Sequence, residues 1–192
     1  MSSISSLKNI HKLGLFGDYI NKNENQLIKI KEIKNINLFQ VVKYKHSKVN
    51  LSNLEIDGLK LSESLKTSNN SSTRIIWMGP NNWYIFSIKD ITEDLKIFKD
   101  TDFAITDLSE SRSIIELEGD MAYEVLKKGS PLDINKLKPG DCANTVYNGI
   151  TITLDFISID PNIIRIFGLR SFGESLYHSI TDSSLEFGYK SV

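Results

Sequence analysis

The stretch RIIWMGPNNWYIF, from Arg74 to Phe86, holds both tryptophans of the chain and predicts a β-hairpin. Apolar runs at 74–78 and 83–89 flank turn-forming residues at 79–82. A four-residue loop at 79–82 gives one possible register, or residue pairing, between the two strands. A two-residue loop at 81–82 shifts each partner by two and keeps the same faces, because strand side chains alternate with period two. A tight turn centred on Pro80 and Asn81 is disfavoured, because primed turns need a positive φ that proline does not adopt.

Both faces of this hairpin are apolar in the predicted register. One face carries Ile76, Met78, Trp83 and Ile85, and the other carries Ile75, Trp77, Tyr84 and Phe86. A hairpin with one wet face would alternate apolar and polar residues, so we expect cover on both sides, either within the chain or from a partner on one side. A stacking platform for bases carries interleaved lysine and arginine, and only Arg74 is near. The tryptophans are therefore predicted to pack.

Strand patterns outnumber helix patterns along the rest of the chain, and helices occur singly between groups of strands. Further strands are predicted at 37–45, 103–109, 112–119 and 162–170, and a pair at 142–159 turns at Asn148-Gly149. This order predicts an α+β fold, with mixed or antiparallel sheets and helices packed on one side.

Two helices are predicted in the middle of the chain. Asp90 is expected to cap ITEDLKIFK, and Asp120 is expected to cap MAYEVLKK, which Gly129 ends. The last helix is expected to open with a capping box made by Ser171 and Glu174. Its spacing predicts Phe172, Leu176 and Ile180 on one face.

The first part of the chain, residues 1–73, has the weakest pattern and reads as an extension with a strand and a helix. The helix is predicted at 50–66, interrupted by Gly58, and 67–72 is predicted to be a loop. Residues 74–192 form the better-defined α+β region. We expect the two parts to make one continuous domain.

Composition excludes several classes of protein. The net charge is −1 with acids and bases mixed, so the basic footprint of a nucleic-acid-binding protein is absent. The start of the chain has no apolar signal region, and no apolar run reaches membrane-spanning length. Cys142 is the only cysteine, so no intrachain disulfide forms. A cytoplasmic location is expected.

No local motif predicts a catalytic, cofactor-binding or metal-binding site. Walker and dinucleotide-binding glycine motifs are absent, and His11, His46 and His178 lie far from one another and from Cys142 in sequence. His178 is predicted to be a surface residue, because it points away from the apolar side of the last helix. A Ser–His–Asp arrangement stays open, since its members gather in space, but Ser171 is better explained as a cap.

Several charged residues are weaker candidates. Asp107 and Asp155 are read as strand-end carboxylates, and Glu116 and Glu118 as outward positions of an alternating strand; all four are expected to be solvated. Arg112 and Arg170 lie at strand ends. There they would either bind an anion or, as we expect, form salt bridges.

Three stretches, read in order, resemble the gamma subunit of heterotetrameric sarcosine oxidase. They are WMGPNNWYIF, TDLSESRSIIELEGDMAYEVLKKGSPLD and GLRSFGESLYHSITDSSLEFG. The resemblance runs from about Arg74 to Gly188. Its most specific parts are K-G-x-P-L-D at Lys128–Asp133 and the R-S-F-G start of the last helix at Arg170.

The resemblance implies a fold like that of the folate-binding aminomethyltransferase superfamily. It implies a non-catalytic structural subunit of a complex that oxidatively demethylates sarcosine to glycine and passes the one-carbon unit to tetrahydrofolate. The partners would be the alpha, beta and delta subunits, which would hold FAD, FMN, NAD and tetrahydrofolate. The family implies no catalytic residue in gamma.

Other readings stay open at this point. One is a free-standing folate-binding or one-carbon transferase of the same superfamily, for which Asp107 or Asp155 would hold the pterin. Another is the similar small subunit of N-methylglutamate dehydrogenase. A third is an unrelated α+β adaptor. The motif K-G-C-Y-x-G-Q-E of folate-binding iron–sulfur-repair relatives is absent around Cys142, so the resemblance does not imply folate binding by this chain alone.

Overall fold

Residues 5–192 are described by a computed structural model, in which two units interleave along the chain. Unit 1 comprises 5–34, Ser111–Pro139 and Ala143–Val192, and unit 2 comprises Asn35–Glu110 and Gly140–Cys142. The two units are defined by contacts within the folded chain and need not be parts that fold alone. The predicted division into residues 1–73 and 74–192 therefore stays a prediction.

Fourteen strands and three α-helices occur in the described residues. The strands are β1 Gly14–Phe16, β2 Ile28–Glu32, β3 Asn37–Lys43, β4 Glu55–Ile56, β5 Leu59–Lys60, β6 Thr67–Asn69, β7 Thr73–Gly79, β8 Asn82–Ser87, β9 Phe103–Asp107, β10 Arg112–Glu118, β11 Cys142–Tyr147, β12 Ile150–Ile159, β13 Asn162–Leu169 and β14 Tyr189–Ser191. The helices are α1 Thr92–Leu95, α2 Ala122–Gly129 and α3 Gly173–Ser184.

Unit 1 is built on a seven-stranded sheet with the order β1-β14-β2-β10-β13-β12-β11. The sheet is mixed, since β14 runs parallel to β2 whereas β10 pairs antiparallel with both β2 and β13. Helices α2 and α3 pack on one face through fully buried apolar residues, which form one core with the alternate residues of β10, β12 and β13. The α+β prediction with helices on one side is confirmed.

Unit 2 is built on a five-stranded sheet with the order β6-β7-β8-β3-β9 and a separate small hairpin, β4-β5. Helix α1 has Ile91 at its cap position, so the cap predicted at Asp90 is wrong, although Asp90 Oδ1 accepts a hydrogen bond from Thr92 N at 2.9 Å just before the helix. It is only four residues long, shorter than expected. Its segment still buries Ile91, Leu95 and Phe98 in the core of this unit.

The tryptophan hairpin forms, but the register predicted from the four-residue loop is wrong by one residue and the register from the two-residue loop is wrong by three. Trp77 pairs with Trp83, and the ladder shifts between Trp77 and Gly79. The disfavoured turn at Pro80 and Asn81 is the one present. Asn81 has φ +59 and proline fixes a negative φ, which are the values of a type II turn rather than a primed one.

This slip changes which residues share a face, because a one-residue shift moves every side chain of one strand to the other face. Ile75, Trp77, Trp83 and Ile85 lie together toward the core of unit 2. Arg74, Ile76, Tyr84 and Phe86 lie on the opposite face and are also buried. Most of the hairpin is thus covered on both faces within the chain, with Trp83 4% exposed and Trp77 partly buried.

The caps predicted for α2 and α3 are wrong as well. Helix α2 begins with Ala122 N donating to Gly119 O at 3.0 Å, and Asp120 is not its cap. Helix α3 follows a 3-10 turn at Arg170–Phe172, so Phe172 occupies the cap position and Ser171 makes no cap hydrogen bond. Phe172 is therefore 49% exposed, whereas Leu176 and Ile180 are buried as predicted.

The predicted helix at 50–66 is also wrong. Its centre forms the β4-β5 hairpin, which turns at Asp57 and Gly58 with φ values of 51 and 73. The Asp-Gly pair is a strong hairpin signal that our sequence reading missed. Part of the predicted loop at 67–72 is strand β6, which pairs with β7.

Candidate functional site

The three histidines do not form a site. His178 is exposed on α3, as predicted. The His11 ring lies 5.2 Å from the Tyr177 ring, and its Nε2 is 3.2 Å from Val192 O. His46 is exposed in unit 2 and stacks on Tyr44. Within residues 5–192, no group of three or more His, Cys, Asp or Glu side chains is arranged to hold a metal ion.

Cys142 and Asp107 have local structural roles. Cys142 is buried, and its Sγ lies 3.3 Å from the carbonyl oxygens of Lys66 and Trp77. Asp107 is exposed at the end of β9, where its Oδ1 accepts from Ser109 N at 2.9 Å. It is solvated, as expected, and it stabilises the turn that leaves the strand.

Asp155 differs most from its expectation. It lies in the middle of β12 rather than at its end, and it is 0% exposed. The register places it opposite Arg165 of β13, and Arg165 lies opposite Glu116 of β10. Arg165 Nε donates to Glu116 Oε2 at 2.7 Å, with the two side chains 19% and 14% exposed. The three form a charged row across three strands, so Asp155 and Glu116 are not the solvated carboxylates expected.

Glu118 continues the outward face of β10, as the alternation predicted. It pairs with Lys29 of β2 at 2.6 Å, and both side chains are partly exposed. Arg165 and Lys29 were missed from the sequence. The sequence does place opposite charges at outward positions of different strands. They can be recognised as pairs only when it is known which strands are neighbours.

Asp57 is a second polar centre that sequence reading missed. Its carboxylate accepts from Thr73 Oγ1 at 2.7 Å, from Asn70 Nδ2 at 3.0 Å and from Ser72 Oγ at 2.9 Å, and it pairs with Lys89 Nζ at 2.5 Å. The hydrogen bond from Lys89, followed by those from Thr73 and Asn70, holds the pKa of the Asp57 carboxyl well below its usual range. This arrangement ties the β4-β5 turn to β7 and is structural.

Arg112 and Arg170 meet at one corner of unit 1. Arg112 begins β10, Arg170 follows β13, and Arg170 N donates to Ser111 O at 3.0 Å. Both arginines line a cavity of about 700 Å³ with Ser111, Ser171 and neighbouring residues. Arg112 Nη1 also donates to Ser111 Oγ at 3.2 Å. The strand-end positions predicted for both arginines are confirmed.

A second cavity, of about 380 Å³, lies along helix α3, whose residues Glu174 and Ser175 also line the first cavity. Its walls include Phe16, Tyr177 and Tyr189, and the rings of Phe16 and Tyr189 stack with their centroids 5.1 Å apart. Burial raises the pKa of the Tyr177 hydroxyl, which lies 3.1 Å from Ser191 Oγ, so this wall stays uncharged. His178 and Lys12 lie at the exposed edge of this cavity. Neither Asp107 nor Asp155 lines either cavity.

Comparison with known proteins relates the chain to one enzyme complex. Sarcosine oxidase subunit gamma of Corynebacterium sp. (strain U-96) is 28% identical over 130 residues, which cover 64% of this chain and 61% of that protein. The match thus spans less than two thirds of that relative. No family model matches the chain. Among the described residues, no helix is long and apolar enough to cross a membrane.

Solved structures agree on the fold. A chain of the heterotetrameric sarcosine oxidase from Corynebacterium sp. U-96, in complex with pyrrole 2-carboxylate, superposes with a TM-score of 0.76 at 21% identity, covering 86% of this chain and 87% of that one. The glycine cleavage system aminomethyltransferase T from Bartonella henselae superposes with a TM-score of 0.62 at 14% identity, covering 88% of this chain and 48% of that one. The resemblance read from the sequence motifs is therefore confirmed: the chain is similar in sequence to sarcosine oxidase subunit gamma and has an aminomethyltransferase-like fold.

Proposed function

We propose that this chain is a non-catalytic structural subunit, corresponding to gamma, of a heterotetrameric sarcosine oxidase. The complex would oxidatively demethylate sarcosine to glycine and transfer the one-carbon unit to tetrahydrofolate. The observation that carries this proposal is the superposition on one chain of such a complex, which covers 86% of this chain and 87% of that one, together with the sequence similarity to subunit gamma.

The structural role is supported by what the polar candidates do. Glu116 and Arg165 bond to each other, Asp57 ties a turn to a strand, and His178 faces solvent. These residues are accounted for by packing, pairing or exposure rather than by a shared reaction centre. We accordingly propose that this chain holds no catalytic, cofactor or metal site.

The remaining components belong to the same proposal. The alpha, beta and delta subunits would be the partners, and they would hold FAD, FMN, NAD and tetrahydrofolate. The complex would be cytoplasmic. A single buried cysteine, Cys142, and hence no intrachain disulfide, fits a reducing compartment.

The test is affinity purification of the tagged, full-length chain from its native cells. We expect it to retain large subunits with flavin absorbance, and the preparation to produce peroxide when sarcosine is added. The chain expressed alone should show neither property and should not bind tetrahydrofolate in titration calorimetry. Sarcosine-dependent activity, or micromolar tetrahydrofolate binding, by the chain alone would contradict the proposal.

A further inference from the structure

Helix α3 has a continuous recess along its exposed side. The two cavities described above share Glu174 and Ser175, so they meet at the first turn of this helix. Together they reach from Ser171 to Thr181, which is ten residues or about 15 Å along the helix axis. An extended peptide rises about 3.3 Å per residue, so this recess, named the α3 groove, has the length of four or five residues.

One end of the α3 groove is an apolar pocket. Tyr177 and Tyr189 are almost fully buried beneath it and are held in place, the first by a hydrogen bond and the second by ring stacking. A cavity of about 380 Å³ with rigid aromatic walls is large enough to take one bulky side chain. Such preformed pockets are where the anchor residues of protein interfaces are buried.

The other end of the α3 groove is cationic. Arg112 and Arg170 line it, Lys12 lines the apolar end, and Glu174 is the one carboxylate among the lining residues of the two cavities. The chain as a whole has a net charge of −1, so this excess of positive charge is local. Guanidinium groups suit carboxylates in particular, because their planar donors match both oxygens.

Two apolar side chains beside the cationic end face solvent. Leu169 is 42% exposed and Phe172 is 49% exposed, one on each side of Arg170. Their burial is not needed by the fold, in contrast to Gly173 and Leu176, which pack into unit 1. Arginine and exposed aromatic side chains next to a pocket are typical of protein-binding surfaces.

We propose that the α3 groove is the docking surface for a flavoprotein subunit of the complex, which inserts an extended segment carrying a bulky apolar residue and neighbouring carboxylates. The apolar residue occupies the pocket of Phe16, Tyr177 and Tyr189. The carboxylates lie against Arg112 and Arg170. This inference rests on the proposed function, because the partner is a subunit of that complex.

Two substitutions test the groove in the full-length chain purified from its native cells. Arg170→Glu reverses the charge of the cationic end, and Ser175→Trp fills the point where the two cavities meet. Ser175 is exposed, so its replacement leaves the core intact. The matched controls are Lys48→Glu and Ser64→Trp, both at exposed positions of unit 2. Circular dichroism and the melting temperature establish that each variant is folded.

We expect the amount of flavoprotein subunit retained by each groove variant to fall about tenfold or more below that of the wild type. The loss of one interface hot spot has an effect of this size. The controls should retain it fully. A photo-crosslinking residue in place of Phe172 should capture a subunit peptide that contains Asp or Glu beside a bulky apolar residue. The crosslink decides the question even if Arg170→Glu does not fold.

Other outcomes overturn the inference in distinguishable ways. If the groove variants assemble like the wild type, or the captured peptide lacks carboxylates, the docking surface is wrong and the proposed function stands. A crosslink between two copies of this chain makes the groove a self-association surface and also overturns it. If the wild type retains no flavoprotein subunit, both the proposed function and the docking surface are wrong.

Discussion

At the scale of single residues, partly or fully buried charged side chains gather at two places in this molecule. Asp155, Arg165 and Glu116 line up across three neighbouring strands, and Asp57 gathers four partners at one turn. From the sequence, Asp155 and Glu116 were expected to be solvated, and Arg165 and Asp57 were not singled out. Burial could not be read locally, because it depends on which strands become neighbours and on what covers them.

Replacing Arg165 by Met is expected to destabilise the protein by about 3 kcal/mol, because it leaves Glu116 and the buried Asp155 without the cation between them. The measurement is chemical denaturation. Lys29→Met is the matched control: it breaks the more exposed pair with Glu118 and should cost no more than about 1 kcal/mol. Equal effects of the two substitutions would mean that the row at Arg165 is not a buried charge network.

Asp57→Asn is expected to destabilise the protein by about 2 kcal/mol at pH 7, since hydrogen bonds to a charged group are lost or weakened. The pKa of Asp57 is lowered on folding, so its contribution is complete above the unfolded aspartate value of about 3.9 and declines as the pH falls toward the folded value. The wild type should therefore lose part of its advantage over Asp57→Asn between pH 5 and pH 3. A difference that stays constant over this range would exclude the carboxylate as the cause.

At the scale of elements, the sequence predicted which strands and helices exist better than it predicted their registers and their ends. Both strands of the tryptophan hairpin were expected, but the shifted ladder between Trp77 and Gly79 changed the register. Neither the bulge nor the type II turn leaves a periodic signal in the sequence. The start of α3 was missed for a similar reason, because the 3-10 turn at Arg170–Phe172 delays the helix.

Trp83→Ala is expected to cost about 3–5 kcal/mol, because Trp83 is 4% exposed and its Nε1 donates to Ser62 O at 3.0 Å. Trp77→Ala should cost clearly less, since Trp77 is only partly buried at the end of the same face. Thermal and chemical denaturation measure both. If Trp77→Ala proves the more damaging, the burial described for the two tryptophans is wrong.

Gly129→Ala separates two explanations for the glycine that ends α2. If Gly129 only stops the helix, the variant should gain about 1 kcal/mol in the free energy of unfolding, because alanine has the better helix propensity. A Cβ at this position would instead lie 2.6 Å from the ring of Tyr147, whose hydroxyl is fixed by its hydrogen bond to Val125 O. We therefore expect a net loss of about 1–2 kcal/mol in the free energy of unfolding. A stabilised variant would favour the helix-stop explanation.

At the scale of the whole molecule, the fold class and the family resemblance could be read from the sequence, whereas the membership of the two units could not. Residues 140–142 belong to unit 2 through Thr67 N donating to Gly140 O and Cys142 N donating to Leu65 O. These contacts join residues more than seventy positions apart. Local patterns do not encode such pairings, so they appear only in the folded chain.

The α3 groove was likewise invisible in the sequence as a single feature. Arg112, Arg170 and His178 were each singled out separately, and Phe16 and Lys12 were not considered. The fold brings them along one helix because β1 and β14 place Phe16 beside Tyr189, while β10 and β13 place the two arginines at one corner.

The central claim is that this chain works as one subunit of a larger oxidase. Native mass spectrometry of the tagged chain, purified from its own cells without denaturation, tests this most directly. The account predicts one assembly that contains a single copy of this chain, three different partner chains and bound flavin. A spectrum in which the chain occurs only by itself or only with copies of itself would contradict the account.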